Sequence, residues 1–184
     1  MRRARSGELE HVDRKLMTKH LHLLITGGTI DSVFDGARDM VVVNDASTIT
    51  EYIQDLVQPH FEISKEIVTL RDSREITDNI RAEIVRSIEE GHHDFILVTH
   101  GTYTMAATGE YLQKHLKPST KRVVLTGSML PLKGFSPTDA PFNLGFAIGS
   151  LFMAEPGVYL AMNGRLFRAG EGVKNVNAGR FEAV

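Results

Sequence analysis

Residues 94–116 read DFILVTHGTYTMAATGEYLQKHL, and the order of residue types across them decides the fold class. An apolar run, DFILVT (94–99), stops at a glycine–threonine corner, and helical spacing follows in TMAATGEYLQKHL (104–116). A strand that turns directly into a helix is half of a βαβ unit. The same kind of corner occurs earlier, where HLHLLI (20–25) runs into ITGGTID (25–31).

The alternation continues on both sides of this stretch. FEISKEIVTL (61–70), RVVLTG (122–127) and GVYLAM (157–162) read as strands. Helical spacing marks STITEYIQDLV (47–57), with Ser47 or Thr48 as its cap, and APFNLGFAIGSLFMA (140–154). ITDNIRAEIVRSIEEG (76–91) places Ile80, Ile84, Val85 and Ile88 on one face, with Thr77 or Asp78 as cap and Gly91 as stop. NGRLFRAG (163–170) reads as a hairpin turn. The expectation is an α/β fold: a doubly wound, mostly parallel sheet with helices on both faces, flavodoxin-like, ending in a C-terminal β-hairpin. DSVFDGARDMVVVNDA (31–46) departs from this pattern. It is too long for a tight connection and reads either as a lid or as a surface hairpin with Met40–Val43 as a short strand.

Composition narrows the function classes. A formal net charge of -2 gives no electrostatic case for nucleic acid or an anionic membrane as partner. With no cysteine, disulfides and cysteine-ligated zinc are excluded. No apolar stretch approaches the roughly 20 residues a membrane span needs. Residues 1–19 are polar and basic without an apolar signal core, and read as an N-terminal tail before a single domain over 20–184. A cytoplasmic location follows as the default expectation.

The two corners carry the chemistry. In a doubly wound sheet, ligands bind beyond the C-terminal strand ends, where successive connections leave to opposite faces. In a flavodoxin-like order the first and third strands flank that crevice, so both corners face one pocket. Gly27 and Gly28 remove side chains and let backbone approach closely. Thr29 then offers a hydroxyl, which becomes a nucleophile beside a base. Gly101 and Thr102 lead into a helix whose first N–H groups favour developing negative charge. Glycine–threonine at one strand end is ordinary turn chemistry; two at the switch-point strands form a pattern.

At these residues the sequence resembles the bacterial-type L-asparaginase/glutaminase family of threonine amidohydrolases. TGGTI (26–30), THGTYTMAATGEYL (99–112), VVLTGSMLP (123–131), SPTDAPFNL (136–144) and YLAMNG…GEGVKN (159–175) carry the resemblance in order. It covers the family's N-terminal domain; members continue past the counterpart of Val184 into a smaller second domain that completes a neighbouring subunit's site. By that resemblance the reaction is hydrolysis of a small-molecule amide, the side chain of L-asparagine or L-glutamine, to the acid and ammonia. Thr29 matches the nucleophile, Thr102 the second catalytic threonine, and Lys174 the lysine that pairs with Thr102 as base. Gly28, Asp72, Ser73, Arg74, Gly101 and Tyr103 fall in substrate-binding stretches. No metal or organic cofactor is implied, and a homodimer or homotetramer is expected. His100 is a regular, non-catalytic member of the motif, and His92–His93 reads as a turn.

Two departures bear on activity. Tyr103 stands where the family has an aspartate that binds the substrate's α-ammonium. Losing such a charge-assisted hydrogen bond costs roughly 1.5–3 kcal/mol, about ten- to hundredfold in recognition. Asp72 is the residue placed to supply the missing charge. Segment 31–46 contains no tyrosine, which the family commonly carries there to assist the nucleophile. The competing reading is a non-catalytic module that binds an amino acid or carboxylate, with hydrolysis lost at Tyr103.

Overall fold

The computed structural model describes residues 19–184, so the expected tail lies outside the described residues apart from Lys19. The central element is β1 (His20–Gly27), buried along almost its whole length because it has neighbours on both edges and helices on both faces. It pairs in parallel with β4 (Glu62–Arg71) on one side and β5 (Phe95–Thr99) on the other. Outward from β5 follow β6 (Arg122–Thr126) and β7 (Gly157–Met162), both parallel. The order β4-β1-β5-β6-β7 is the flavodoxin-like arrangement, with β8 (Arg165–Arg168) added antiparallel at the edge. Asn163 and Gly164 have φ of 55° and 76°, the two positive values that a two-residue hairpin turn demands.

Alternate side chains of the sheet build two cores. Leu21, Leu23 and Ile25 meet Ile49 and Ile53 from α1 (Ile49–Glu51) with its continuation, and Leu144 and Leu151 from α4 (Ala140–Met153). Leu24, Ile96 and Val98 meet Ile84 and Ile88 of α2 (Asp78–Glu90) and Met105 and Leu112 of α3 (Met105–His115). Thr77 caps α2 through its side chain, and Gly91 ends it. The helix expected over 47–57 is irregular. One α turn widens into a π turn, Tyr52–Val57, closed by the Gln58 N–H on the Ile53 carbonyl at 3.1 Å. Pro59 follows and disfavours a right-handed helical Gln58, which takes a left-handed φ of 51°.

Segment 31–46 forms a hairpin of β2 (Ser32–Asp35) and β3 (Met40–Val43), separate from the main sheet. Another hairpin separate from the main sheet, β9 (Gly172–Asn175) with β10 (Arg180–Ala183), follows β8 and carries Lys174. Sequence patterning alone does not resolve it.

Candidate active site

At the C-terminal ends of β1, β4, β5 and β6 the backbone packs as tightly as missing side chains allow. A Cβ on Gly27 would lie 2.5 Å from the Arg71 nitrogen, and one on Gly127 only 2.2 Å from the His100 carbonyl oxygen. A Cβ on Gly101 would meet the Ser73 Cβ at 2.7 Å. Gly28 donates its N–H to the Arg71 carbonyl at 2.8 Å. These contacts stack the corners after three central strands against the turn that follows β4.

That turn is a 3-10 turn, Ser73–Glu75, with Asp72 at its N-cap accepting the Arg74 N–H at 2.8 Å. Thr104, just before α3, donates its hydroxyl to the Ser73 carbonyl at 2.5 Å and ties the turn to the β5 corner. Thr102 is buried, and the Lys174 Nζ lies 2.7 Å from its Oγ1. Burial first, and then the Arg74 guanidinium, hold the Lys174 ammonium below its usual range, while Asp72 opposes them.

Thr29 opens a 3-10 turn, Thr29–Asp31, anchored by the Asp31 N–H and the Ser32 hydroxyl, both on the Gly28 carbonyl at 3.0 Å. It lines a cleft of about 520 Å³ together with Asp72, Arg74, the β3 strand and Leu130. Among the described residues nothing hydrogen-bonds the Thr29 hydroxyl. Of the residues singled out in the sequence, Gly28, Thr29, Asp72, Ser73, Arg74, Gly101 and Thr102 are therefore gathered at one end of the sheet, and Lys174 reaches them from β9. Thr102 and Lys174 are not among the residues lining the Thr29 cleft. Tyr103 is 58% exposed, and its ring lies 5.1 Å beneath the Arg74 guanidinium. Arg74 pairs with Asp72 (3.2 Å), not with Glu75 or Asp78.

His100 is wholly buried and its pKa falls to about 4, because burial outweighs its hydrogen bond to the Gly101 carbonyl. Nδ1 donates to that carbonyl at 2.7 Å, so the neutral ring accepts at Nε2 from the Thr108 hydroxyl at 3.0 Å. Arg81 donates to the same hydroxyl at 3.1 Å. Every polar atom of the ring is satisfied, which makes His100 a support for the corner. His93 is more than a turn residue: its ring stacks on His20 and His22, with centroids 4.7 and 4.3 Å apart.

Sequence reasoning missed Asp139 and Asn143. The Asp139 carboxylate accepts N–H bonds from Met129 and Leu130 and from Asn143 Nδ2, at 2.9–3.1 Å. Asn143 also donates to the Gly127 carbonyl (3.0 Å) and accepts the Asn163 N–H (3.1 Å). The pair holds the loop after β6, whose Met129 and Leu130 line the cleft. The available signal was the spacing of Asp139 and Asn143, four residues apart in SPTDAPFNL at the start of a helical stretch.

Fold and site together define a doubly wound α/β domain whose switch point joins two glycine–threonine corners and a lysine from a following hairpin. The chain belongs to the asparaginase family: residues 20–184 match its N-terminal domain, described as "Asparaginase, N-terminal". It is 28% identical over 187 residues to the L-asparaginase of Dirofilaria immitis, a match covering 84% of this chain and 31% of that protein. Among solved structures, the thermostable L-asparaginase from Thermococcus kodakarensis superposes with a TM-score of 0.77 at 28% identity, covering 90% of this chain and 51% of that one. The probable cytoplasmic L-asparaginase from Campylobacter jejuni gives a TM-score of 0.74 at 30% identity, covering 90% and 53%. The chain thus spans between about a third and a half of the length of these relatives. Among the described residues no helix is long and apolar enough to cross a membrane.

Proposed function

We propose that the chain is an amidohydrolase of L-asparaginase type, releasing ammonia from the side-chain amide of L-asparagine, with L-glutamine as the alternative substrate. The observation that carries this reading is the 2.7 Å contact between Lys174 Nζ and Thr102 Oγ1. A lysine whose ammonium is destabilised by burial and by Arg74 is a competent base, and here its nitrogen already meets a hydroxyl. In the proposed sequence, Thr29 Oγ attacks the amide carbon while the Thr102–Lys174 pair receives its proton. The C–N bond breaks, the departing nitrogen takes that proton, and ammonia leaves an acyl ester on Thr29. Water then cleaves the ester to the acid and restores the hydroxyl. Gly28 and Gly101 contribute by letting the two threonine corners come together. Ser73, Asp72 and Arg74 form the binding side. The proposal includes a cytoplasmic location and a homodimer or homotetramer as the working assembly.

Two observations favour a second reading, a binding module without turnover: an exposed phenol at Tyr103 and a Thr29 hydroxyl with no partner among the described residues. Ammonia release from L-asparagine and L-glutamine by wild type and Thr29→Ala separates the two. Turnover that disappears in the variant supports the enzyme. Absence of release from any amide, with ligand-dependent thermal stabilisation, supports the module.

A further inference from the structure

We propose that the preferred substrate is a carboxylate-bearing amide with an apolar substituent and no free ammonium, such as an N-acylated asparagine. This rests on the amidohydrolase reading above and deepens it.

The charges around the site offer little to an ammonium. The charged residues lining the Thr29 cleft are Arg71, Asp72, Arg74 and Glu75. Both carboxylates are already committed to guanidinium groups: Asp72 to Arg74 at 3.2 Å, and Glu75 to Arg71 at 3.8 Å. Asp72 Oδ1 is further held by the Arg74 N–H at 2.8 Å. Lys174 lies outside this lining, and the Arg74 guanidinium adds to burial in disfavouring its charged form. Tyr103, at the position where a carboxylate would meet an ammonium, presents a neutral ring that already carries the Arg74 guanidinium. An arriving ammonium therefore has no unpaired anion to meet among the residues lining the cleft, whereas an arriving carboxylate can use the N–H donors of Arg71 and Arg74 that those pairings do not engage.

The cleft wall is largely apolar. Met40, Val41 and Val43 of the β2–β3 hairpin face it, with Leu130, Pro131 and Phe135 from the loop after β6. Met40, Val41 and Leu130 are more than 40% exposed, so apolar surface is left open beside Thr29. A zwitterion as small as asparagine cannot cover it. Acylating the α-nitrogen removes the ammonium and supplies the apolar group in one change.

The test measures kcat/KM for ammonia release by the wild-type chain from L-asparagine and from its N-acetyl, N-butanoyl and N-hexanoyl derivatives. We expect N-acetyl-L-asparagine to exceed L-asparagine by about tenfold or more. Each added methylene that becomes buried should contribute a further factor of about three to four. Tyr103→Asp should reverse the order by restoring a carboxylate. L-asparagine turned over as well as or better than every acylated form would overturn the inference and leave the amidohydrolase reading standing. Should no amide be hydrolysed, calorimetric titration of Thr29→Ala with the same compounds decides. Preferential binding of the acylated forms would keep the ligand class while the amidohydrolase reading falls; equal or weaker binding overturns both.

Discussion

A Cβ placed on Gly28 would lie 2.3 Å from both the nitrogen and the Cα of Gly101, so the two threonine corners share one backbone contact. Neither neighbour is a movable side-chain end. Gly28 also has a φ of 81°, which residues with a Cβ resist. Gly28→Ala and Gly101→Ala should each cost about 1–3 kcal/mol from overpacking, lowering the melting temperature by roughly 2–4 °C per kcal/mol for a chain of this size. Gly145→Ala, in α4 with nothing within 4 Å, provides the contrast and should be neutral or slightly stabilising. Thermal melts of the three variants check this, and equal Tm values would count against the close contact.

The position of this contact was legible in the sequence because three signals agreed. Apolar runs in 20–25, 94–99 and 122–127 marked buried parallel strands, helical spacing lay between them, and glycine–threonine pairs closed two strands. What stayed hidden depends on contacts between distant segments. β9 and β10 are four-residue strands with mostly polar or small residues, and Phe181 is their one buried large side chain, so no periodicity announces them. Asp139 meets N–H groups nine and ten residues back, across a loop no local pattern specifies. His93 finds His22 because β1 and the end of α2 meet at the bottom of the sheet.

Lys174 gives the second prediction. Its base form grows as pH rises, so ammonia release should climb through an apparent pKa below the ordinary lysine value. Arg74→Gln removes a neighbouring cation and should move that limb to higher pH. Asp72→Asn removes the opposing carboxylate and should move it lower. Lys174→Met should reduce kcat by about 10²–10⁴ at every pH. Rate profiles of the four proteins test the assignment; a limb unmoved by either neighbour would assign it to another group.

Asp139 supports the cleft without lining it. Its carboxylate receives three donors, and Asp139→Ala leaves the Met129 and Leu130 N–H groups without it. A charge-accepting hydrogen bond contributes about 1.5–3 kcal/mol, so a loss of roughly 3 kcal/mol is expected for the group as a whole. Asp139→Asn should retain part of this, since its carbonyl oxygen still accepts while its NH₂ faces a donor. Urea unfolding of both variants measures the difference, and an alanine variant as stable as wild type would rule out the clamp.

The last prediction concerns acid. His100 is neutral in the fold with a pKa of about 4, against an ordinary value of 6.5, because protonating it would bury a charge and break the acceptor at Nε2. Between those values the unfolded chain binds a proton that the folded chain does not, so stability rises with pH across this window. The contribution is fully present above pH 6.5 and is lost as pH falls toward 4, amounting to about 3 kcal/mol. His22 and His93 shift in the same direction, chiefly through burial, and steepen the loss. His100→Gln separates the buried histidine from the stacked ones: its amide can donate to the Gly101 carbonyl and accept from Thr108, yet it does not titrate. Its unfolding free energy should start below wild type at pH 7 and fall less steeply between pH 6.5 and 4. Parallel curves for the two proteins would show that His100 carries no part of the acid sensitivity.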